Sequence, residues 1–184
     1  MAAARRPTRR QARRRALDLL YQADLTQRSV ERVLGALDPV AEDTEELPAY
    51  TGQLMRGMAA HQATIDGLIA DHAEGWHLQR MPIVDRNLLR LGLYEICYEP
   101  DVPDAVAIDE AVALAQELST EASGRFVNGL LARVARERAD AETTSPPSES
   151  APALRSSFVT FLTRGVRNVT NGVVPARRPQ PGAA

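Results

Sequence analysis

The sequence predicts an all-α protein, a bundle of six or seven helices. Up to residue 140, apolar residues recur at i, i+3 or i+4 and i+7, the spacing of one helix face. Alternating β-branched runs are absent over the same span, and aromatic residues, which strands favour, make up 4% of the chain. Turn residues divide the periodic stretches into helix-sized pieces.

The first helix starts near Thr8, just after Pro7, with Ala12, Ala16, Leu19, Leu20 and Ala23 on one face. Ser29 can cap a short second helix carrying Val30, Val33, Leu34 and Leu37. The acidic stretch "DPVAEDTEELP" reads as a loop. A longer third helix carries Tyr50, Leu54, Met58, His61, Ile65, Leu68, Ile69 and His72. Gly75 and Pro82 break the pattern in "EGWHLQRMP". The fourth helix, about Ile83 to Tyr98, has Val84, Leu88, Leu91 and Ile96 with Leu89, Leu93 and Cys97 beside them. A helix apolar on most sides belongs at the centre of a bundle. After the two prolines of "EPDVPD", Ala105 to Leu118 and Glu121 to Ala139 read as two more helices. Their faces are Ile108, Ala111, Val112, Ala115 and Leu118, then Phe126, Val127, Leu130, Leu131 and Val134. Asn128-Gly129 interrupts the last face, and a glycine inside a helix costs about 1 kcal/mol against alanine. Close packing against a neighbouring helix or close approach of a ligand would justify it, and packing is the expected reason.

Residues 1–7 form a basic arm, 8–140 the helical domain, and 141–184 a Pro/Ser-rich linker with a basic tail, expected to be disordered. The tail places Leu154, Phe158, Phe161, Leu162, Val166 and Val169 at helical spacing. Its Ser, Thr, Val, Gly and Asn content is nevertheless poor for an isolated helix.

Charge is distributed unevenly along the chain. The net charge is -2, yet residues 1–15 hold seven arginines and no acid, whereas residues 16–140 hold ten arginines and 22 acids. All basic residues are arginine, whose planar fork matches phosphate oxygens and stacks on bases. In the first two turns of a helix these cations face the positive end of the helix dipole. Arg9/Arg13 and Arg10/Arg14 are moreover like-charged i,i+4 pairs. A bound polyanion would relieve both penalties, so the arm points to nucleic acid. Sparse aromatics and the absence of helix-turn-helix or zinc-finger spacing favour single-stranded RNA over DNA. Tyr21, Trp76 and Phe126 are the candidate rings for stacking, although such a residue taken alone is more often core than platform.

No catalytic constellation stands out: phosphate-loop, dinucleotide and nucleophile-elbow motifs are all missing. His61 and His72 are eleven residues apart, too far to share one metal. Cys97 is the one cysteine; it excludes an intrachain disulfide, fits a reducing cytoplasm and reads as a core thiol. No apolar run is long enough to span a bilayer, and no secretory signal follows the basic start.

Three motifs in order, "GWHLQRMPIVDRNLLRLGLYEI", "VPDAVAIDEAVALAQELS" and "GRFVNGLLARV", resemble the transcription antitermination factor NusB family. The basic start leading into "ALDLLYQADL" resembles the family's first helix, and the likeness covers about residues 5–138. The resemblance implies two packed three-helix bundles with the arginine arm on the first helix. It implies binding of the boxA element of ribosomal RNA leader transcripts, together with NusE, a small-subunit ribosomal protein. It implies membership of an antitermination assembly on RNA polymerase in the cytoplasm, with no cofactor, no metal and no reaction. RNA contacts carry over onto Arg5, Arg6, Arg9, Arg10, Arg13 and Arg14, and onto Arg125 and Phe126. The NusE-facing surface carries over onto Asp85 and Arg86. The rival reading is a helical homodimer, a protein–protein module whose arm binds an acidic partner.

Overall fold

Thr8 starts the first helix as its spacing predicts. Its hydroxyl accepts from the Gln11 N–H at 3.2 Å, and the Gln11 side chain accepts from the Thr8 N–H at 2.8 Å. This reciprocal capping box fixes the start of α1, Arg9–Thr26. Ser29 accepts from the Arg32 N–H and caps α2, Val30–Gly35. The remaining helices are α3 (Ala49–His72), α4 (Ile83–Tyr98), α5 (Asp104–Leu118) and α6 (Glu121–Thr144), with one 3-10 turn at Leu78–Arg80. Pro48, Pro82 and Pro103 immediately precede α3, α4 and α5; proline disfavours helix in the residue before it, so each helix begins there and not earlier. Gly75, at φ +75°, reverses the chain after α3 in the left-handed region that glycine enters freely. The structure, a computed structural model, describes residues 7–37, 48–73 and 75–144. The acidic loop's residues 38–47, Arg5 and Arg6 of the arm, and the linker and tail from 145 onward lie outside the described residues.

Helices α1, α2 and α3 pack on one another, as do α4, α5 and α6. Helix α4 joins the halves, touching α1, α3, α5 and α6. Twelve of its sixteen residues are buried, including Leu88, Leu89, Leu93, Ile96 and Cys97, as a helix apolar on most sides requires. Two glycines differ in a way the periodicity does not show. A Cβ on Gly57 would lie 2.0 Å from the Tyr94 ring, so α3 and α4 approach through a missing side chain. Gly129 is the opposite case. It is exposed and a Cβ there would meet nothing within 4 Å, so close helix packing is not its reason. The buried face of α5 is Ala107, Ala111, Leu114 and Ala115, turned by about one residue from the expected stripe; Ile108, Val112 and Leu118 sit half-buried at its edge. Helix α6 runs unbroken past Asp140, and beyond its expected end at Ala139 the neighbouring turn is still tied down. Arg138 pairs with Asp104 and contacts Glu142 at 3.4 Å.

The apolar helix α4 also carries the buried charge. Glu95 lies between α1 and α3, where Arg13 Nε donates to both its oxygens at 2.9 and 3.0 Å and the Tyr50 hydroxyl donates to one. Arg90 donates to Asp66 of α3 at 2.7 and 2.8 Å and to Asp24 of α1 at 3.1 and 3.2 Å. Glu99, just past α4, accepts from Gln53 of α3 and from Tyr94. The Arg13 and Glu95 side chains are 5% and 2% exposed, so removing one leaves the other charge buried and unpaired. Arg13→Met should therefore destabilise the protein by roughly 3–5 kcal/mol in a denaturant titration. The double replacement Arg13→Met with Glu95→Leu should lose less than Arg13→Met alone. Equal losses would mean that the pair does not act as a unit.

Candidate nucleic-acid interface

Four of the five arginines of α1 separate into two groups because a helix turns about 100° per residue. Arg9 and Arg13 lie along one face, Arg10 and Arg14 lie one residue further round, toward Glu117 of α5, and Arg15 is exposed. Arg9 reaches the Asp101 carbonyl at 3.4 Å, ahead of α5, and sits 5.0 Å above the Tyr50 ring. Arg13 turns inward, pairing with Glu95 and approaching Glu110 at 3.5 Å. Its expected role as a phosphate contact does not match this placement: the guanidinium is already bound and shielded from solvent. Arg10 and Arg14 remain half-exposed and share one carboxylate, Glu117 near the end of α5. The hydrogen bond from Arg14, with its charge, holds the Glu117 carboxyl below the usual carboxylate range. Glu117 thus neutralises part of the basic surface, a contact that like-charge spacing along α1 cannot reveal.

The candidate partner residues face inward. Asp85 is buried and accepts hydrogen bonds from the Ser119 and Ser123 hydroxyls at 2.6 and 2.8 Å. It ties the first turn of α4 to the corner between α5 and α6, with Ser123 also capping the start of α6 through the Thr120 N–H. Arg86 turns the other way, donating to Asp24 at 2.7 and 3.1 Å and to the Leu78 carbonyl at 3.1 Å. Neither is a free surface charge; each fixes a neighbouring element. Asp85 therefore holds the fold at this corner and does not stand as a free surface charge toward a partner.

At the start of α6, Arg125 is exposed, with no hydrogen bond or ion pair among the described residues, while Phe126 is half-buried against the core. The Phe126 ring lies 6.0 Å from that of Trp76, which is 54% exposed. Tyr21 is also exposed, but it stands apart on the outer face of α1. Two of the three histidines play structural parts. His61 stacks on Tyr98 with centroids 3.9 Å apart, and burial lowers its pKa. His72 binds the Leu68 carbonyl and Glu137 through its two ring nitrogens. Among the described residues no three His, Cys, Asp or Glu side chains converge as a metal site, and no helix is long and apolar enough to cross a membrane.

Two outcomes follow from these contacts. Asp85→Lys should place an unpaired cation against the Ser119–Ser123 corner and destabilise the fold by several kcal/mol in a thermal or denaturant melt. An unchanged midpoint would return Asp85 to the surface. Asp24 provides a pH test. Burial alone would raise its pKa, but the Arg86 hydrogen bonds, the charges of Arg90 and Arg86 and the Asn87 amide together hold it below the ordinary value. Its contribution is complete above the unfolded pKa of about 3.9 and is lost as pH falls through the lower folded value. Asp24→Asn should reduce stability near neutral pH and flatten the acid side of the stability–pH curve. Parallel curves would show that the cluster is not coupled to protonation.

The sequence and the fold have counterparts among known proteins. A family model described as the NusB family matches residues 10–136. The transcription antitermination protein NusB of Acidothermus cellulolyticus is 48% identical over 143 residues, covering 78% of this chain and 97% of the relative. That of Beutenbergia cavernae is 51% identical over 138 residues, covering 70% and 89%. Among solved structures, T. maritima NusB superimposes with a TM-score of 0.64 at 36% identity, covering 72% of this chain and 94% of that one. The NusB of a crystal structure of antitermination factors NusB and NusE in complex with dsRNA gives 0.58 at 26% identity, covering 70% and 96%. The match takes in all six helices and nearly the whole length of these relatives, and this chain belongs to the NusB family.

Proposed function

We propose that this protein is an RNA-binding transcription antitermination factor, non-catalytic and cytoplasmic, that binds the boxA element of ribosomal RNA leader transcripts together with the ribosomal protein NusE. The carrying observation is the exposed arginine surface at the N-terminal end of α1. Arg9, Arg10 and Arg14 present guanidinium groups to solvent at the positive end of a helix dipole, where phosphate is the favoured occupant. Arg10 and Arg14 reach toward the end of α5, and α6 begins three residues beyond Leu118 with Arg125 and Phe126 in its second turn. One strand can therefore run from the α1 arginines to the start of α6. Arg5 and Arg6 extend the basic sequence ahead of Arg9. Arg13 supports this surface from beneath by fixing α1 on α4. The relatives' antitermination names and the NusB–NusE–dsRNA complex support the same reading. Asp85 and Arg86 influence a protein partner through the elements they hold, the α5–α6 corner and the end of α1.

Titration with a boxA-like single-stranded RNA and its scrambled counterpart, with and without NusE, tests the proposal. Affinity should fall with salt by about 0.7 log units per log unit of salt for each phosphate neutralised. Arg10→Ala with Arg14→Ala should make that slope shallower by about 1.4. Glu117→Gln should act in the opposite sense: it frees both guanidinium groups and should tighten RNA binding a few-fold at low salt, because an exposed ion pair is weak competition for a polyanion. If the double arginine variant keeps both affinity and slope, α1 is not the RNA surface and a protein-binding module becomes the better reading.

A further inference from the structure

The rings of Trp76 and Phe126 stand at the mouth of a groove to which the RNA-binding reading assigns no occupant. Its other lining residues are His72, Ala73, Arg125, Gly129, Leu130 and Arg133, and its volume is about 330 Å³. That is the small end of the range for ligand pockets, room for one flat ring system. Four features of the groove coincide. Trp76 is more than half exposed although it is the largest apolar side chain in the protein. Gly75, in the left-handed conformation, and the Trp76 N–H bond to the Ala73 carbonyl at 3.0 Å turn the chain so that the indole lies against α6. Arg125 on the rim has no bonded partner among the described residues, and Arg133 lines the same opening beside Glu137. Gly129 leaves open a space that any other side chain would enter, and no packing contact requires its missing Cβ.

The geometry points to a base-binding slot: an unpaired nucleobase of single-stranded RNA stacks on Trp76, with Phe126 at its edge, Gly129 leaving it room and Arg125 holding an adjacent phosphate. The charge of the lining selects this occupant. Among the described residues the lining carries two arginines and no carboxylate; Glu137 behind it pairs with Arg133 and His72, and Arg125 is the cation left for an anion joined to a π-face. A second opening on the far side of the same rings is lined by Pro82, Asp85, Thr120, Ala122 and Ser123 and offers no cation. The base is therefore assigned to the arginine side. The inference rests on the proposed RNA-binding function and names a part of that surface. It also supplies the reason for a glycine within α6 that helix packing does not explain.

Trp76 is the one tryptophan of the chain, so emission reports on its ring, and Gly129→Leu, which lies in this groove and not in the second opening, assigns the signal to one side. The test titrates the full chain with a short single-stranded RNA of mixed sequence carrying a fluorescent end label. Binding is read by anisotropy of the label, and Trp76 emission is followed in parallel. An abasic ribose-phosphate strand of the same length serves as the charge-matched control. RNA should quench Trp76, and the abasic strand should not. Gly129→Leu, which fills the groove at an exposed helical position and replaces glycine with a better helix former, should keep or raise the melting temperature. It should weaken RNA binding by roughly 5- to 150-fold, the range of one base–aromatic stack, with an unchanged salt slope. Trp76→Ala should weaken it to a similar extent. If anisotropy shows saturation while Trp76 emission stays constant and Gly129→Leu binds like the parent, the slot is wrong and the RNA-binding reading survives. Emission that responds only to added NusE would make the occupant a protein and overturn the proposal. No anisotropy change with any strand would overturn the slot and the RNA-binding reading together.

Discussion

The arrangement of the helices depends on one buried carboxylate. Glu95 sits in the last turn of the central helix with α1 on one side and α3 on the other, and both neighbours bring it a donor: the Arg13 guanidinium and the Tyr50 hydroxyl. Burial pushes the Glu95 carboxyl above its usual range against the pull of Tyr50 and Arg13, a sign of how little water reaches it. An apolar seam tolerates small rotations of one helix against another, because dispersion and the hydrophobic effect are non-directional. A carboxylate that must meet two donors does not. Rotation of α4 by one residue would strand Glu95, Arg90 and Asp85 together, since Glu95 and Arg90 find their partners on α1 and α3 and Asp85 finds its own at the α5–α6 corner. The pair need not add net stability to specify the packing, as buried ion pairs are expensive to desolvate.

That pair also divides the arginines of α1 between fold and function. The residues are chemically identical and adjacent in sequence, so the division comes from helix geometry alone. Arg13 is drawn inward by Glu95, and the turn of the helix then leaves Arg10 and Arg14 outward, on the side of Glu117. Anchoring the helix from within sets the direction in which its free cations point. A basic arm without this anchor could present its charge anywhere around the helix.

A similar link between stability and recognition operates at the other end of the surface. Asp85 holds Ser119 and Ser123, Ser123 receives the Thr120 N–H, and two residues later the chain presents Arg125 and Phe126. Trp76 is set against Phe126 by the Gly75 turn, from a different part of the chain. The aromatic pair thus has one ring supplied by a tight turn and the other by a helix whose start is pinned through a buried carboxylate. Rings positioned by rigid neighbours lose little entropy on stacking, which suits a site for a single base.

The helix count, the starts at Thr8 and Ser29, the breaks before the prolines and the central place of α4 were all legible in the sequence. Each follows from local rules: spacing at 3.6 residues per turn, hydroxyl caps, and the restriction proline places on its predecessor. The family likeness, too, was carried by motifs within single segments. Which polar residues are buried was not legible, because the signal for burial is apolar periodicity and Arg13, Asp85 and Glu95 have none. Asp85 read as a surface charge because its two serine partners lie 34 and 38 residues away. Gly129 read as a packing glycine because a sequence does not show what stands opposite a missing Cβ. Periodicity and capping act between residues a few positions apart, so the sequence by itself determined the helices and their order. The direction of each charged group depends on partners brought together only when the helices pack, and that the tertiary structure alone decided.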